Sequence, residues 1–296
     1  MSTEFAIKQS SDAARTQHVP ANIRMASLRA IYIIWYRDIL RYWRDRWRLG
    51  ASLAQPLLFL IVFGSGLSSS LKGSTSFGAS GGLSYIQFMY PGIIGMAILF
   101  TAIFGAMSIV WDREFGFLKE VLVAPIDRSS VAIGKALGGT TQAMIQGLIL
   151  LVLAPFVGVK LSVLTVLTLI PLAAVLAFGL SSFGVALAST MKSMQGFQVV
   201  MNFLMMPMFF LSGALFPLSG LPGWMTVLTR LDPASYGIDP LRRVVLSQSG
   251  LPSAVIDKLG LTINGQVLPI MLEAGIMLAF GIVMLAIAVV SFKRRD

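Results

Sequence analysis

Charge-free stretches alternate with short charged ones along this chain, and the stretches are long. They run Leu49–Leu71, Gly73–Trp111, Ala136–Val159, Leu161–Met191, Ser193–Thr229, Leu259–Leu272 and Ala274–Phe292. A helix rises about 1.5 Å per residue, so a hydrocarbon core about 30 Å thick takes about 20 residues to cross. Gly73–Ser84 is Gly/Ser-rich and only weakly apolar, which leaves 85–110 as the second span. The fifth interval turns at Pro217, Gly220, Pro222 and Gly223, and the last two merge across Glu273. Six helices follow: about 51–70, 85–110, 137–157, 162–189, 196–216 and 268–291. An even number places both termini on one side.

Composition supports the same class. Of 296 residues 56% are hydrophobic and 12% charged, against about 25% charged in a soluble domain. So few charges cannot cover a soluble surface. The fold class is an all-α polytopic membrane protein. There is no Cys and one His, His18, which excludes a disulfide scaffold and most histidine chemistry. Seventeen of the 23 Lys and Arg lie in residues 1–50, 111–135, Lys192 and the C-terminal end. That bias predicts cytoplasmic N- and C-termini. The net charge of +10 then reads as topology and attraction to anionic lipid, not nucleic-acid binding. The first apolar run starts near Leu49, too late for a cleavable signal peptide.

Three segments are neither span nor simple loop. They follow residues 1–26, which read as a disordered cytoplasmic tail. Residues 27–50 interleave Ile31, Ile34, Trp35, Ile39, Tyr42, Trp43 and Trp47 with Arg29, Arg37, Arg41, Arg44, Arg46 and Arg48. At helical spacing this predicts an amphipathic interfacial helix, the alternative being an ordinary positive-inside flank. The six-span domain then occupies 51–296. Between spans two and three lies Trp111-Asp112-Arg113-Glu114-Phe115-Gly116-Phe117-Leu118-Lys119-Glu120-Val121-Leu122-Val123-Ala124-Pro125-Ile126-Asp127-Arg128. Phe115, Leu118 and Leu122 share a helical face, Pro125 ends the helix, and Ser129 or Ser130 is expected to cap the next. A short two-signed amphipathic helix suits docking on another protein; a solvated loop is the plainer reading. The stretch 216–267 is broken by prolines and glycines yet keeps Trp224, Val227, Leu228 and Leu231 amphipathic. It reads as broken, re-entrant-like outer helices before the last span.

Catalytic chemistry is missing. Gly134-Lys135-Ala136 lacks both the upstream glycine of a phosphate loop, where Ser129 stands, and the following hydroxyl. No catalytic or metal site is predicted, and the chain is not an enzyme. Ionisable groups inside spans reduce to Glu273, and Gln142, Gln146 and Asn202 complete a polar set for a possible transport path. Interhelical hydrogen bonding explains Gln142 and Gln146 equally well, and a helix-terminus position explains Glu273.

The chain resembles the permease subunits of type-2 ABC exporters, the group of daunorubicin-type drug exporters and of polysaccharide and nodulation-factor exporters. Asp112-Arg113-Glu114-Phe115-Gly116 with Leu118, Glu120, Leu122, Pro125 and Arg128 is similar to the family's D-R-E-x-G-x-L-E-x-L-x-x-x-P-x-x-R segment. Phe216-Pro217-Leu218 and Leu221-Pro222-Gly223-Trp224, with Asp232-Pro233, resemble its loop before the last span; Asp232 stands where asparagine is usual. The resemblance implies a half-transporter in a prokaryotic-type plasma (inner) membrane, pairing with a second permease copy or a homologue. Each permease would bind an ATP-binding cassette subunit, two copies in all, which carries the ATP and Mg. The coupling helix would lie between spans two and three. Arg113, Glu114, Phe117, Leu118 and Glu120 are the expected ATPase contacts, with Gly116, Pro125 and Arg128 structural. Pro217, Pro222, Trp224, Asp232 and Pro233 would form an outer gate. The cargo implied is a small amphipathic or hydrophobic compound, the spans being rich in Phe, Leu and Met, with polysaccharide as the alternative. An ion-coupled carrier using Glu273 and a non-transporting membrane scaffold are the rival classes.

Overall fold

The computed structural model describes residues 23–71, 85–115, 127–159, 161–218, 220–248, 252, 256, 259–263 and 266–294. The expected disordered tail falls largely outside them, as do Gly116, Phe117, Leu118, Glu120 and Pro125 of the coupling segment. The described elements are α1 (Ile23–Arg44), α2 (Arg46–Leu71), α3 (Tyr85–Gly105), α4 (Met107–Glu114), α5 (Arg128–Leu153), α6 (Val163–Thr190) and α7 (Met194–Leu211). They continue with α8 (Gly223–Leu231), α9 (Pro233–Leu246), a two-stranded ribbon of β1 (Thr262–Ile263) and β2 (Gln266–Val267), and α10 (Ile270–Arg294).

Five runs are long and apolar enough to cross a bilayer: Tyr85–Glu114, Arg128–Val157, Val163–Thr190, Met194–Leu211 and Ile270–Lys293. A sixth crossing exists if Ser27–Arg44 and Leu49–Gly64, bent by 69°, form one span. The helices before the second span therefore divide at Asp45, not at residue 50. The fifth span ends at Leu211, five residues before the expected 216, because Gly213 at φ 74 turns the chain away. The third starts early: Asp127, not Ser129 or Ser130, caps α5 by accepting the Ser129 amide.

Apolar on all sides, α3 forms the centre of the bundle. Its residues Phe88–Leu99 are buried without interruption, enclosed by α2, α5, α6 and α9. Lipid tails are as apolar as the side chains, so helices in a bilayer associate by close packing rather than by escape from water. Two glycine contacts allow that approach. A Cβ on Gly139 of α5 would lie 2.3 Å from Ser181 Oγ on α6, and one on Gly281 of α10 would lie 2.9 Å from Gly179 Cα. By contrast α10 leaves Met271, Leu278, Ile282, Val283 and Ile287 exposed.

One end of the bundle holds the break between α1 and α2, α4, the start of α5 and the α6–α7 junction. We term it proximal. The other, distal end holds α8, α9 and the ribbon. There α9 is buried among α3, α6 and α10, while α8 exposes Trp224, Val227, Leu228 and Leu231. Two short helices, α8 and α9, thus precede α10.

Candidate functional site

At the proximal end three consecutive residues reach three parts of the bundle. Asp112, the buried member, accepts a hydrogen bond from Lys135 Nζ of α5 at 3.0 Å and pairs with Arg37 of α1 at 3.2 Å. Arg113 donates to the carbonyls of Ser189 (3.1 Å) and Met191, the last carbonyls of α6. Glu114 Oε2 accepts the amide of Met194 at 2.9 Å, the first of α7. These partners follow from helix physics. A helix leaves carbonyls unsatisfied at its C-terminus and amides at its N-terminus, so a cation suits the first and a carboxylate the second.

Lys135 is buried, and its three ammonium protons are all used: on Asp38 at 3.2 Å, Asp112 at 3.0 Å and Ser108 Oγ at 3.0 Å. Two carboxylates face one ammonium and the Arg37 guanidinium, so charge balances. Around it, α1 is fastened to α5 by further polar contacts. Gln142 donates to the Asp38 carbonyl, Tyr42 donates to Gln146 Oε1, as does Ser52 of α2, and Trp35 donates to Thr141 Oγ1. The buried face of α1 is Ala30, Ile34, Asp38 and Tyr42, one residue per turn.

Asp127 closes the far side of the 116–126 segment. Hydrogen bonds from the Ser129 amide and hydroxyl hold its carboxyl below the usual carboxylate range. Arg128 starts α5 beside it. The described residues on either side of 116–126 are thus both held by side-chain hydrogen bonds.

The distal end carries a second set of buried charges. Asp239, Arg242 and Glu273 are fully buried, and Arg243 Nη1 lies 3.5 Å from Glu273 while donating to the Leu268 carbonyl. Asp239 Oδ2 accepts the Leu261 amide, but its Oδ1 has no hydrogen-bond partner. None of the three nitrogens of Arg242 has one either; its guanidinium lies over the Phe88 ring, 4.7 Å from the centroid. Asp232 caps α9 through the Ala234 amide ahead of Pro233 at the first helical position. Burial pushes its carboxyl up to about 7.

Between the two ends, a cavity of about 350 Å³ is lined by Tyr42, Ser52 and Gln55, by Met96, Phe100 and Phe104 of α3, and by Gln198 of α7, among others. Its wall is mostly apolar with a few polar groups, as in small-molecule sites. Gln142 and Gln146 lie behind it, buried and engaged with α1 and Ser52. Asn202 is exposed on α7, and Glu273 sits in the first turn of α10. The four polar path residues are therefore not gathered at one place. Of the expected gate residues, Pro222 and Trp224 are exposed, Pro217 and Pro233 half-buried and Asp232 buried. Among the described residues no group of three acidic or histidine side chains is placed to hold a metal.

Residues 29–246 match the family model described as ABC-2 type transporter. The chain belongs to the ABC-2 type transporter family. It is 30% identical to a putative transport permease ycf38 of Cyanophora paradoxa over 78% of this chain and 79% of that protein. It is 29% identical to the inner membrane transport permease YadH of Escherichia coli K12 over 75% of this chain and 85% of that one. Nodulation protein J of Rhizobium leguminosarum bv. trifolii is 26% identical over 75% of this chain and 80% of its own length. Membership of the ABC-2 family makes the chain a transport permease subunit, multi-pass in the membrane, and implies partnership with an ATP-binding subunit.

Sequence reasoning placed Arg113 and Glu114 on the docking side; within this ABC-2 chain they are hydrogen-bonded to α6 and α7. It counted Lys135 only in the topology bias and as a rejected phosphate-loop lysine, and gave Asp38 no role. The available signal was weak: Asp38 is one of only two acids among the many arginines of 27–48. Asp239 and Arg242, three residues apart on one helical face, were also passed over.

Proposed function

We propose that the chain is the membrane-spanning half of an ATP-driven exporter, with both termini and the proximal end cytoplasmic. It moves an amphipathic or hydrophobic compound (a drug, a lipid or a lipid-linked product) outward. The energy comes from separate ATP-binding subunits, two per complex, each docked on the 116–126 segment of one permease. The second permease is a copy or a homologue, and the cargo passes between the two.

One observation carries this reading: the Asp112-Arg113-Glu114 junction. A docked subunit that pushes on 116–126 acts on a segment whose first anchor holds α1, α5, α6 and α7 together. Displacement there is delivered to most of the proximal bundle at once, because packed helices move as rigid bodies. Arg113 and Glu114 then transmit, while Phe117, Leu118 and Glu120 make the contact. The cavity lined by Phe100, Phe104, Met96, Gln55 and Gln198 supports an amphipathic cargo. The exposed apolar face of α8, with Pro217, Pro222, Trp224, Asp232 and Pro233 around it, supports a distal gate lying in the outer interface.

The test uses the assembled complex. Phe117→Ala with Glu120→Ala is expected to cut substrate-stimulated ATP hydrolysis at least tenfold, leaving the thermal midpoint of the permease unchanged. Full stimulation in that variant would contradict docking at this segment. Glu273→Gln discriminates the ion-coupled rival: under that reading, transport driven by a pH gradient without any ATPase is lost in the variant. Absence of such transport in the wild-type chain removes the rival.

A further inference from the structure

Arg37, Arg41 and Arg44 stand in a row on α1, at spacings of four and three residues that put them on one helix face. With Leu40 and Asp45 they line an open depression of about 570 Å³ at the proximal end. Arg37 is committed to Asp112, but neither Arg41 nor Arg44 has an acidic partner among the described residues. The Arg41 guanidinium stacks 5.1 Å from the centroid of Trp111, which holds it at the rim of the depression. Trp43, Trp47 and Trp111, exposed at 63, 91 and 41%, surround the same level. Exposed tryptophans gather where headgroups meet acyl chains, so this depression lies at headgroup depth.

We infer that Arg41 and Arg44, beside the Asp112-paired Arg37, form a binding site for the phosphate of an anionic lipid headgroup. Guanidinium forks match phosphate oxygens, the stacked Arg41 loses little freedom on binding, and Leu40 and the tryptophans contact the upper acyl chain. Basic depressions beside membrane helices hold anionic headgroups by the same chemistry. The site requires no transport activity and stands whether or not the export reading holds.

The experiment titrates the full-length chain, purified in zwitterionic detergent, with phosphatidylglycerol or phosphatidylcholine and reads bound lipid by native mass spectrometry. One phosphatidylglycerol is expected to stay bound in preference to phosphatidylcholine. Arg41→Gln with Arg44→Gln should weaken it roughly 30-fold. Arg41→Lys with Arg44→Lys should keep the preference for the anionic lipid, and Lys192→Gln, an exposed cation elsewhere at this end, should change nothing. Circular dichroism checks that each variant is folded; both arginines are exposed, so helicity is expected to be unaltered. Equal retention of the two lipids, or undiminished binding in the Gln variant, would overturn the site. So would displacement of the lipid by millimolar inorganic phosphate alone, which would make it a site for a free anion.

Discussion

The two ends of the bundle bury similar charges in opposite ways. Proximally, Lys135 meets Asp38 and Asp112, and Arg37 meets Asp112, at 3.0–3.2 Å, and no buried charged atom of the set lacks a hydrogen-bond partner. Distally, among the described residues, Arg243 and Glu273 form an ion pair at 3.5 Å, Asp239 acts on Arg242 through its charge alone, and the Arg242 guanidinium, over the Phe88 ring, has no hydrogen-bond partner. Charges are costly to bury, and only good geometry returns that cost. The proximal set meets this requirement and behaves as a fastening between helices. The distal set does not: Asp239 Oδ1, the Arg242 nitrogens and the Glu273 oxygens are buried without a hydrogen-bond partner. The two ends therefore differ in how completely their buried charges are paired.

Breaking the fastening gives the largest expected effect. Lys135→Met leaves two buried carboxylates with one half-buried arginine, so the protein should lose about 3–5 kcal/mol. Intrinsic tryptophan fluorescence during heating reads the change. Adding Asp38→Asn to Lys135→Met should recover part of that loss, since one stranded charge is gone. Equal loss in single and double variants would mean that the pairing contributes nothing. The matching distal change, Arg242→Met with Asp239→Asn, should cost less than about 1 kcal/mol or stabilise, because it removes charges that were poorly paired. A loss as large as the proximal one would erase the contrast.

A smaller effect is expected in the pH dependence of the distal end. Burial raises the Asp232 carboxyl from its ordinary 3.8 to about 7, so the folded chain binds a proton there that the unfolded chain releases. Stability from this group is full below about pH 4, falls as pH rises to about 7 and is flat above. Asp232→Asn keeps the helix cap and should abolish that fall. Melting at pH 5 and pH 8 decides it; parallel behaviour of the two proteins would contradict the assignment. The smallest change is at the proximal cap. Asp127→Ala should cost about 1 kcal/mol above pH 4. With its carboxyl held low, the wild-type advantage is present at neutral pH and lost on acidification through that lowered pKa.

The apolar intervals were legible because helix length against bilayer thickness is a one-dimensional problem. Runs near 85, 163 and 270 end within a few residues of the helices. What the pattern did not contain was tertiary pairing. Asp38 and Lys135 are 97 positions apart, and Glu114 and Met194 are 80 apart. No local periodicity links such residues. The misread cap at Asp127 had a different cause: Asp, Ser and Ser stand within four positions, each able to cap, and the backbone chooses by where α5 must begin to reach α1. The division of α1 from α2 at Asp45 depends likewise on Ile34, Asp38 and Tyr42 finding α5, not on the aromatic and basic stripes of the helix.

The central claim is that a separate ATP-binding subunit grips 116–126 and moves the bundle through Asp112, Arg113 and Glu114. The chain has no native cysteine, so a single introduced one reports its own position. In the assembled complex, Phe117→Cys and Glu120→Cys, treated with a short bifunctional thiol–amine reagent, should each be linked to the ATP-binding subunit. Trp224→Cys at the distal end should not. Linkage from 224 equal to that from 117 and 120, or none from either proximal position, would contradict the account.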